Sequence, residues 1–335
     1  MDDADVPPAA PPPGTPVPET PALVISVGSH ACVVHVPGHG EVRCTLRGAL
    51  YEQAESSGET RPVAAGDHVR VTLDGSGGVV EEILPRRSRL ARPESGGGKR
   101  GRVRRNVQVI AANVDRLIVV AALDDPPFRP GLVDRFLVAA ASHGLHPLLV
   151  LNKVDLAQSR PGLDREVAAD YRRWGYDLIA TSTVSGEGLD ALRTRMAEGI
   201  SLLVGHSGVG KSSLANAISP GLQLATGAVA DYHGRGKHTT TAVTLLPLTG
   251  GGWLVDSPGI REFGVADLSP SDLARLYPGF GERPEHCRFN DCLHRNEPGC
   301  AVRAALAAGE LAAERHESYL RLLAEQEQQA RPYAD

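Results

Sequence analysis

Long apolar runs are missing from this chain of 335 residues. None approaches the ~20 residues that a bilayer-spanning helix needs, and no basic-then-apolar leader opens the chain, so the expected setting is the cytoplasm. Cysteine is scarce as well. Five cysteines, an odd number with three of them crowded into 287–300, fit a disulfide framework poorly and a metal site in a reducing compartment better. Strong net charge is also absent: at −5 the whole surface is not that of a protein coating a polyanion. With 41% apolar and 22% charged residues the chain can bury a core. At roughly 150 residues per domain, its length suits two or three domains.

Lysine and arginine are absent from residues 1–21, which hold eight prolines and four acids. Such a composition cannot offset chain entropy, and the segment reads as a disordered tail. Residues 22–85 carry short alternating apolar runs such as Leu23-Val24-Ile25-Ser26-Val27, Cys32-Val33-Val34-His35-Val36 and Val79-Val80-Glu81-Glu82-Ile83, separated by glycine-rich turns. This predicts a small β-barrel of OB type, with an SH3-like barrel as the alternative. Residues 86–106 form a basic linker with nine Lys or Arg against Glu94 alone, hinged at Ser95-Gly96-Gly97-Gly98. It reads either as a solvated linker or as an arm that meets phosphates, where clustered cations bind by releasing counterions. From 107 to 278 apolar strands alternate with helices, the pattern of a mostly parallel sheet covered on both faces. Residues 279–335 are expected to form a metal-bearing C-terminal domain ending in a helical tail.

The strongest local signal is Gly205-His206-Ser207-Gly208-Val209-Gly210-Lys211-Ser212, followed by Ser213, between an apolar strand and a helix. This is a P-loop: its backbone N–H groups curl around phosphates, Lys211 brings charge to the β and γ oxygens, and the Ser212 hydroxyl ligates Mg²⁺. Asn152-Lys153-Val154-Asp155 follows the apolar strand 147–151. There, the carboxylate of Asp155 can accept both donors on the guanine edge, which adenine lacks, so GTP is favoured over ATP. Thr181-Ser182-Thr183 ends another strand, where Ser182 and Thr183 can close over the base with backbone N–H groups. Asp256-Ser257-Pro258-Gly259 follows the strand 253–255; its Asp would hold Mg²⁺ through water and its Gly would sense the γ-phosphate. Between these motifs, His238-Thr239-Thr240-Thr241 offers Thr240 as the hydroxyl completing the Mg²⁺ shell, although a β-branched edge strand accounts for the threonines equally well.

Their order is unusual. A Ras-like GTPase runs P-loop, switch Thr, DxxG, then NKxD, whereas here Asn152 precedes Gly205 by 53 residues. Each motif sits at its own strand end, so a chain cut and rejoined elsewhere assembles the same site, and the domain is circularly permuted. Downstream, Cys287, Cys292, His294 and Cys300 supply three thiolates and an imidazole. That set makes a closed tetrahedral Zn²⁺ site, with His286 as an alternative ligand and free or redox thiols as the alternative chemistry. Cys32 and Cys44 read as barrel core.

Together, Ala111-Ala112-Asn113-Val114-Asp115, the P-loop, residues 238–241, Asp256-Ser257-Pro258-Gly259-Ile260-Arg261-Glu262-Phe263 and the run ending Glu297-Pro298-Gly299-Cys300 resemble the RsgA (YjeQ) family of circularly permuted, ribosome-associated GTPases. The resemblance covers about residues 22–330. It implies an OB barrel, a permuted P-loop GTPase domain and a zinc domain. It also implies GTP or GDP with Mg²⁺ and one structural Zn²⁺, and a late maturation factor that binds the small ribosomal subunit and its rRNA as GTP form and leaves after hydrolysis. A single copy of the chain, away from membranes, is expected to act. Ile260 stands where Ras-like enzymes place the water-orienting Gln, and the resemblance points to His238 for that task; a loop histidine touching rRNA or solvent is the other reading. A non-hydrolysing RNA-binding scaffold and an ATP-dependent kinase are the competing functions.

Overall fold

The computed structural model describes residues 21–75, 77–93, 107–159, 161–224, 243–256 and 268–330. Of the expectations above, His238, Thr240, Gly259, Ile260, the glycines 96–98 and most of the 1–21 tail lie outside the described residues. The described residues divide into two compact units. One gathers them from Met1–Val114, His238–Pro247 and Trp253–Pro258, the other from Asp115–Lys237, Leu248–Gly252 and Gly259–Asp335.

The first unit opens with β1 (Ala22–Val27), β2 (Cys32–Val36), β3 (Gly40–Leu46), helix α1 (Gly48–Ser57), β4 (His68–Leu73) and β5 (Gly78–Ile83). The strands run in the order β1-β2-β3-β5-β4, and β4 returns to pair with β1. A barrel closed in this way, with β3 parallel to β5 and a helix between β3 and β4, is OB-type. Alternation builds its core: along β4 every second side chain is buried, and Val24, Val34, Val36, Val69 and Val80 are fully enclosed. Cys32 and Cys44 oppose each other across β2 and β3 inside this core. Burial pushes their thiols up to about 11 and about 12, so they serve as inert packing residues. Helix α1 was not expected, because it buries only Leu50 and Ala54, one turn apart, and leaves little periodic signal.

The stretch expected as a basic linker is partly folded. Its residues Arg89–Pro93 form β6, which pairs antiparallel with β7 (Val107–Ala112), and both group with the barrel in the first unit. Arg86 is no free cation: its guanidinium meets Asp67 at 2.7 and 2.8 Å and Glu59 at 2.8 and 3.0 Å, with Asp67 fully buried. Asn113, with a left-handed φ of 53°, donates to the Gly66 carbonyl at 2.9 Å and accepts from the Arg87 N–H. The Ala-Ala-Asn motif is thus the clasp between hairpin and barrel.

The second unit holds β8 (Arg116–Ala122), α2 (Pro130–Ser142), β9 (Pro147–Asn152), α3 (Leu163–Arg173), β10 (Asp177–Ala180), α4 (Leu189–Met196), β11 (Ile200–Val204) and α5 (Lys211–Ile218). Its strands lie parallel in the order β10-β9-β8-β11. Leu117 to Ala122 of β8 are all buried, the continuous apolar run of a parallel strand covered on both faces. The short hairpin β12 (Thr244–Pro247) and β13 (Trp253–Asp256) groups with the barrel, where Ser26 of β1 pairs with Thr244.

The C-terminal residues form α6 (Pro270–Leu276), α7 (Ala301–Ala307) and α8 (Ala313–Ala330). Leu273, Phe280, Val302, Tyr319 and Leu323 share one core with Val138 and Ala139 of α2, so this module does not separate from the parallel-sheet unit at residue 279. At the seam, Arg315 of α8 grips Asp134 of α2 with two bonds of 2.7 and 2.8 Å. Tyr171 and Tyr277 donate their hydroxyls to the same carboxylate, and the guanidinium lies 4.2 Å from the Trp174 ring centre. Burial works against the guanidinium's charge, but Asp134 beside it outweighs that and raises the Arg315 pKa. No helix among the described residues is long and apolar enough to cross a membrane. Removing one partner strands the other charge in the core, so Asp134→Ala should lower stability to urea by about 3–5 kcal/mol, whereas Asp170→Ala at the exposed Arg173 pair should leave the urea midpoint nearly unchanged.

Candidate active site and metal centre

The carboxyl edge of the parallel sheet is where backbone groups turn from the ladder into loops, and three of its strand ends carry the motifs. Gly205 leaves β11 at φ 147°, and a Cβ there would lie 2.1 Å from the Val120 carbonyl oxygen. Gly210, at φ 94°, likewise has room only for hydrogen, because a Cβ would meet the Asn152 amide nitrogen at 2.4 Å. Gly210 also brings no side-chain cap to α5, so the first-turn N–H groups of the helix face the loop, as an anion site requires. Lys211 folds back over the loop and donates to the carbonyls of Gly205 and His206, both at 2.8 Å. His206, Ser207 and Gly208 are exposed, Val209 is buried, and Ser212 and Ser213 are half-buried.

Asn152, 1% exposed at the end of β9, ties three segments together. Its amide donates to the Val209 carbonyl in the P-loop at 2.9 Å and accepts from the Thr181 hydroxyl at 3.1 Å. Asp155 accepts a 2.5 Å hydrogen bond from the Ser182 hydroxyl. That hydroxyl accepts in turn from the N–H groups of Val184 and Ser185. The Ser182 N–H is itself taken by the Glu187 carbonyl at 3.0 Å. Ser182 therefore meets the carboxylate through its side chain, while its N–H, expected to close over the base, is bonded to Glu187 here. Thr183 lies half-buried beside it.

Sequence reasoning missed the loop after β8. Lys153, held at φ 61°, donates to the Asp125 carbonyl and stands 3.7 Å from the Asp125 carboxylate. Ser159 donates to Asp124 at 2.9 Å, and Pro126 packs 3.5 Å from where a Cβ on Gly208 would be. Pro126, Phe128, Leu132 and Phe136 line an apolar groove that reaches His206 and Val209. The available signal was positional: Asp124-Asp125-Pro126-Pro127 also ends a parallel strand.

Asp256, last residue of β13, is half-buried, and burial raises its carboxyl pKa. A partly desolvated carboxylate of this kind gains from a cation.

The ligand atoms of Cys287, Cys292, His294 and Cys300 lie within 4.8 Å of one another. Cys287 Sγ is 3.9 Å from Cys300 Sγ, and His294 Nδ1 is 3.5 and 3.4 Å from those two sulfurs. Bond lengths of Zn²⁺ to thiolate and imidazole imply edges of roughly 3.8 and 3.6 Å in a tetrahedron, so these residues fit a metal ion. Burial pushes the Cys292 thiol up to about 12 and lowers the His294 pKa, so a set of thiolates here calls for a cation. The N–H groups of Ala301 and Arg303 point at Cys287 and Cys300, and His316 bonds the His294 carbonyl at 2.7 Å. His286 is exposed and outside the group.

A family model described as RsgA GTPase matches residues 83–266. The small ribosomal subunit biogenesis GTPase RsgA of Chromohalobacter salexigens is 43% identical over 286 residues, covering 84% of this chain and 78% of that protein. The one from Gemmatimonas aurantiaca is 41% identical over 281 residues, covering 83% and 88%. Among solved structures, YjeQ from Thermotoga maritima matches with a TM-score of 0.73 at 31% identity, over 92% of this chain and 98% of that one. YloQ, described as a circularly permuted GTPase, matches with 0.69 at 27% identity, over 94% and 98%. The NKxD sequence at the end of β9 preceding the GxxxxGKS loop after β11 agrees with that permutation, and with these relatives the chain belongs to the RsgA family of circularly permuted GTPases.

Proposed function

We propose that this GTPase binds the small ribosomal subunit in its GTP form, assists or checks late maturation, and dissociates once GTP is hydrolysed. The observation that supports the reading best is the Asn152 clasp, which holds a guanine-reading carboxylate and a phosphate loop in one frame. In this reading Asp155 accepts from guanine, Lys153 lines the base, and residues 205–213 cradle the phosphates. Lys211 swings from the Gly205 and His206 carbonyls onto the β and γ oxygens, which bring a stronger, charged acceptor. Ser212 and Thr240 ligate Mg²⁺, Asp256 holds it through water, Gly259 senses the γ-phosphate and His238 orients the attacking water. Mg²⁺ supplies charge neutralisation between the β- and γ-phosphates when bound. Zn²⁺ is the ion proposed for Cys287, Cys292, His294 and Cys300, in a structural role, since all four positions are protein ligands. The partner surface is rRNA, the acting form a single copy, and the compartment the cytoplasm.

Multiple-turnover phosphate release with and without purified small subunits tests the reading: stimulation is expected, and its absence would favour a scaffold that merely holds nucleotide. Asp155→Asn should cut GTP affinity by about a hundredfold and favour xanthosine triphosphate, whose carbonyl replaces the guanine amino group, as read by nucleotide competition. Lys211→Ala should weaken Mg-GTP binding about ten- to a hundredfold without unfolding the chain. Elemental analysis should find about one zinc per chain, and Cys292→Ala should lose it while leaving GTP affinity largely intact. In a salt series of subunit binding, neutralising Arg102, Arg104 and Arg105 should flatten the dependence, whereas Arg86→Ala should destabilise the barrel, because that guanidinium is held by Asp67 and Glu59.

A further inference from the structure

Most large aromatic side chains of the C-terminal module are enclosed: Tyr277, Phe280 and Tyr319 pack tilted or edge-on against one another in its core. Phe289 is the exception. It sits between the metal-ligating Cys287 and Cys292 and leaves 41% of its surface exposed. Keeping so much of a phenyl ring in water forgoes burial energy, in a chain with only five phenylalanines.

The ring is also held in place. The Phe289 carbonyl accepts from the Cys292 N–H at 3.3 Å, and the neighbouring Arg288 N–H donates to the Gly299 carbonyl at 3.1 Å. Both residues are thereby pinned to the backbone of the metal loop. The Arg288 stem lies against Gly299, where a Cβ would come within 2.9 Å of the Arg288 Cβ, and φ 75° further restricts the position to glycine. Its exposed guanidinium is carried 5.5 Å from the Phe289 ring centre. Arg283 and Arg295 of the same module pair with Glu310 and Glu327, but among the described residues Arg288 makes no ion pair. The unpaired cation thus stands over one face of the half-exposed ring, and the two are presented together on a loop held by those backbone bonds.

That combination matches the two ends of an unpaired nucleotide, a base face that stacks and a phosphate that takes the charge. A paired helix hides its base faces, and an acidic peptide would use the arginine but not the ring. Resting on the reading that the partner is the small ribosomal subunit, we propose that Phe289 and Arg288 form a stacking platform for one unpaired base and its phosphate in the subunit's rRNA.

The test measures binding of the full chain to purified small subunits with a non-hydrolysable GTP analogue. Phe289→Ala should weaken binding about tenfold. Arg288→Ala should weaken it and reduce its salt dependence, and Phe289→Trp should retain it. Zinc content and subunit-free phosphate release should stay as in the unaltered chain for all three, which separates the platform from the fold. The indole fluorescence that Phe289→Trp adds to that of the unaltered chain should be quenched by subunits and by a single-stranded oligoadenylate, but not by an RNA duplex of equal length. Chemical probing should show one rRNA base protected by the unaltered chain and reactive with Phe289→Ala. Unchanged affinity in both alanine variants overturns the platform and leaves the subunit as partner. Failure of the unaltered chain to bind subunits overturns the partner reading, and this inference with it. Weakened binding with no change at any base, or equal quenching by duplex and single strand, assigns the loop to another surface and overturns stacking.

Discussion

The buried amide of Asn152 is the interaction on which the proposed nucleotide site depends. It joins the ends of β9, β10 and β11 by one donated and one accepted hydrogen bond, through Val209 in the loop after β11 and Thr181 after β10. Because the bonds are not covalent in sequence, the order of the strands along the chain is immaterial to them. The permuted chain can reverse the motifs and still bring the same groups to the same edge. The cost is borne by Gly210, which must remain glycine because the amide occupies the space of its Cβ.

A second buried contact plays the equivalent part for the C-terminal module. Asp134 lies in the middle of α2 with no exposure, and an apolar helix face tolerates it there only because Arg315 and two tyrosine hydroxyls surround it. Phe128, in the groove beside the P-loop, stands edge-on to Tyr171, which belongs to the same cluster. On the other side, Tyr277 packs with Phe280 and Tyr319, whose rings surround His294. A series of packed rings therefore runs from Phe128 through Tyr171 to the cluster around Asp134, and from Tyr277 to His294.

Charge is used in two different ways. Arg315 is buried and Arg86 half-buried, each held by carboxylates, so they set the geometry of the seam and of the barrel. Arg288 is exposed and its guanidinium faces a ring instead of an acid. Counting basic residues along the chain cannot distinguish these cases, since the identity of the neighbour decides the role.

Much was legible because local spacing encodes it. The apolar runs of β8, β9 and β11, the glycine pattern of 205–210, the NKxD tetrapeptide after β9 and the Cys/His cluster of 287–300 all lie within short stretches whose periodicity or spacing has few alternatives. What stayed hidden depended on residues distant in sequence. Residues 89–93 read as linker because the partner that makes them a strand, β7, comes after the intervening stretch. Helix α1 buries too few residues to show a stripe, and Ser182 could not be seen to bond Asp155 with its hydroxyl until Glu187 was seen to take its N–H. The loop at Asp125 carried no motif, only a position. The sequence by itself determined which motifs are present, a P-loop pattern, an NKxD tetrapeptide and a Cys/His cluster, because each is a set of particular residues at short spacing. Only the tertiary structure decided which charges are buried, which hydroxyl orients Asp155 and which aromatic ring is left facing water, because burial and hydrogen-bond partners are properties of contacts the chain makes after it has folded.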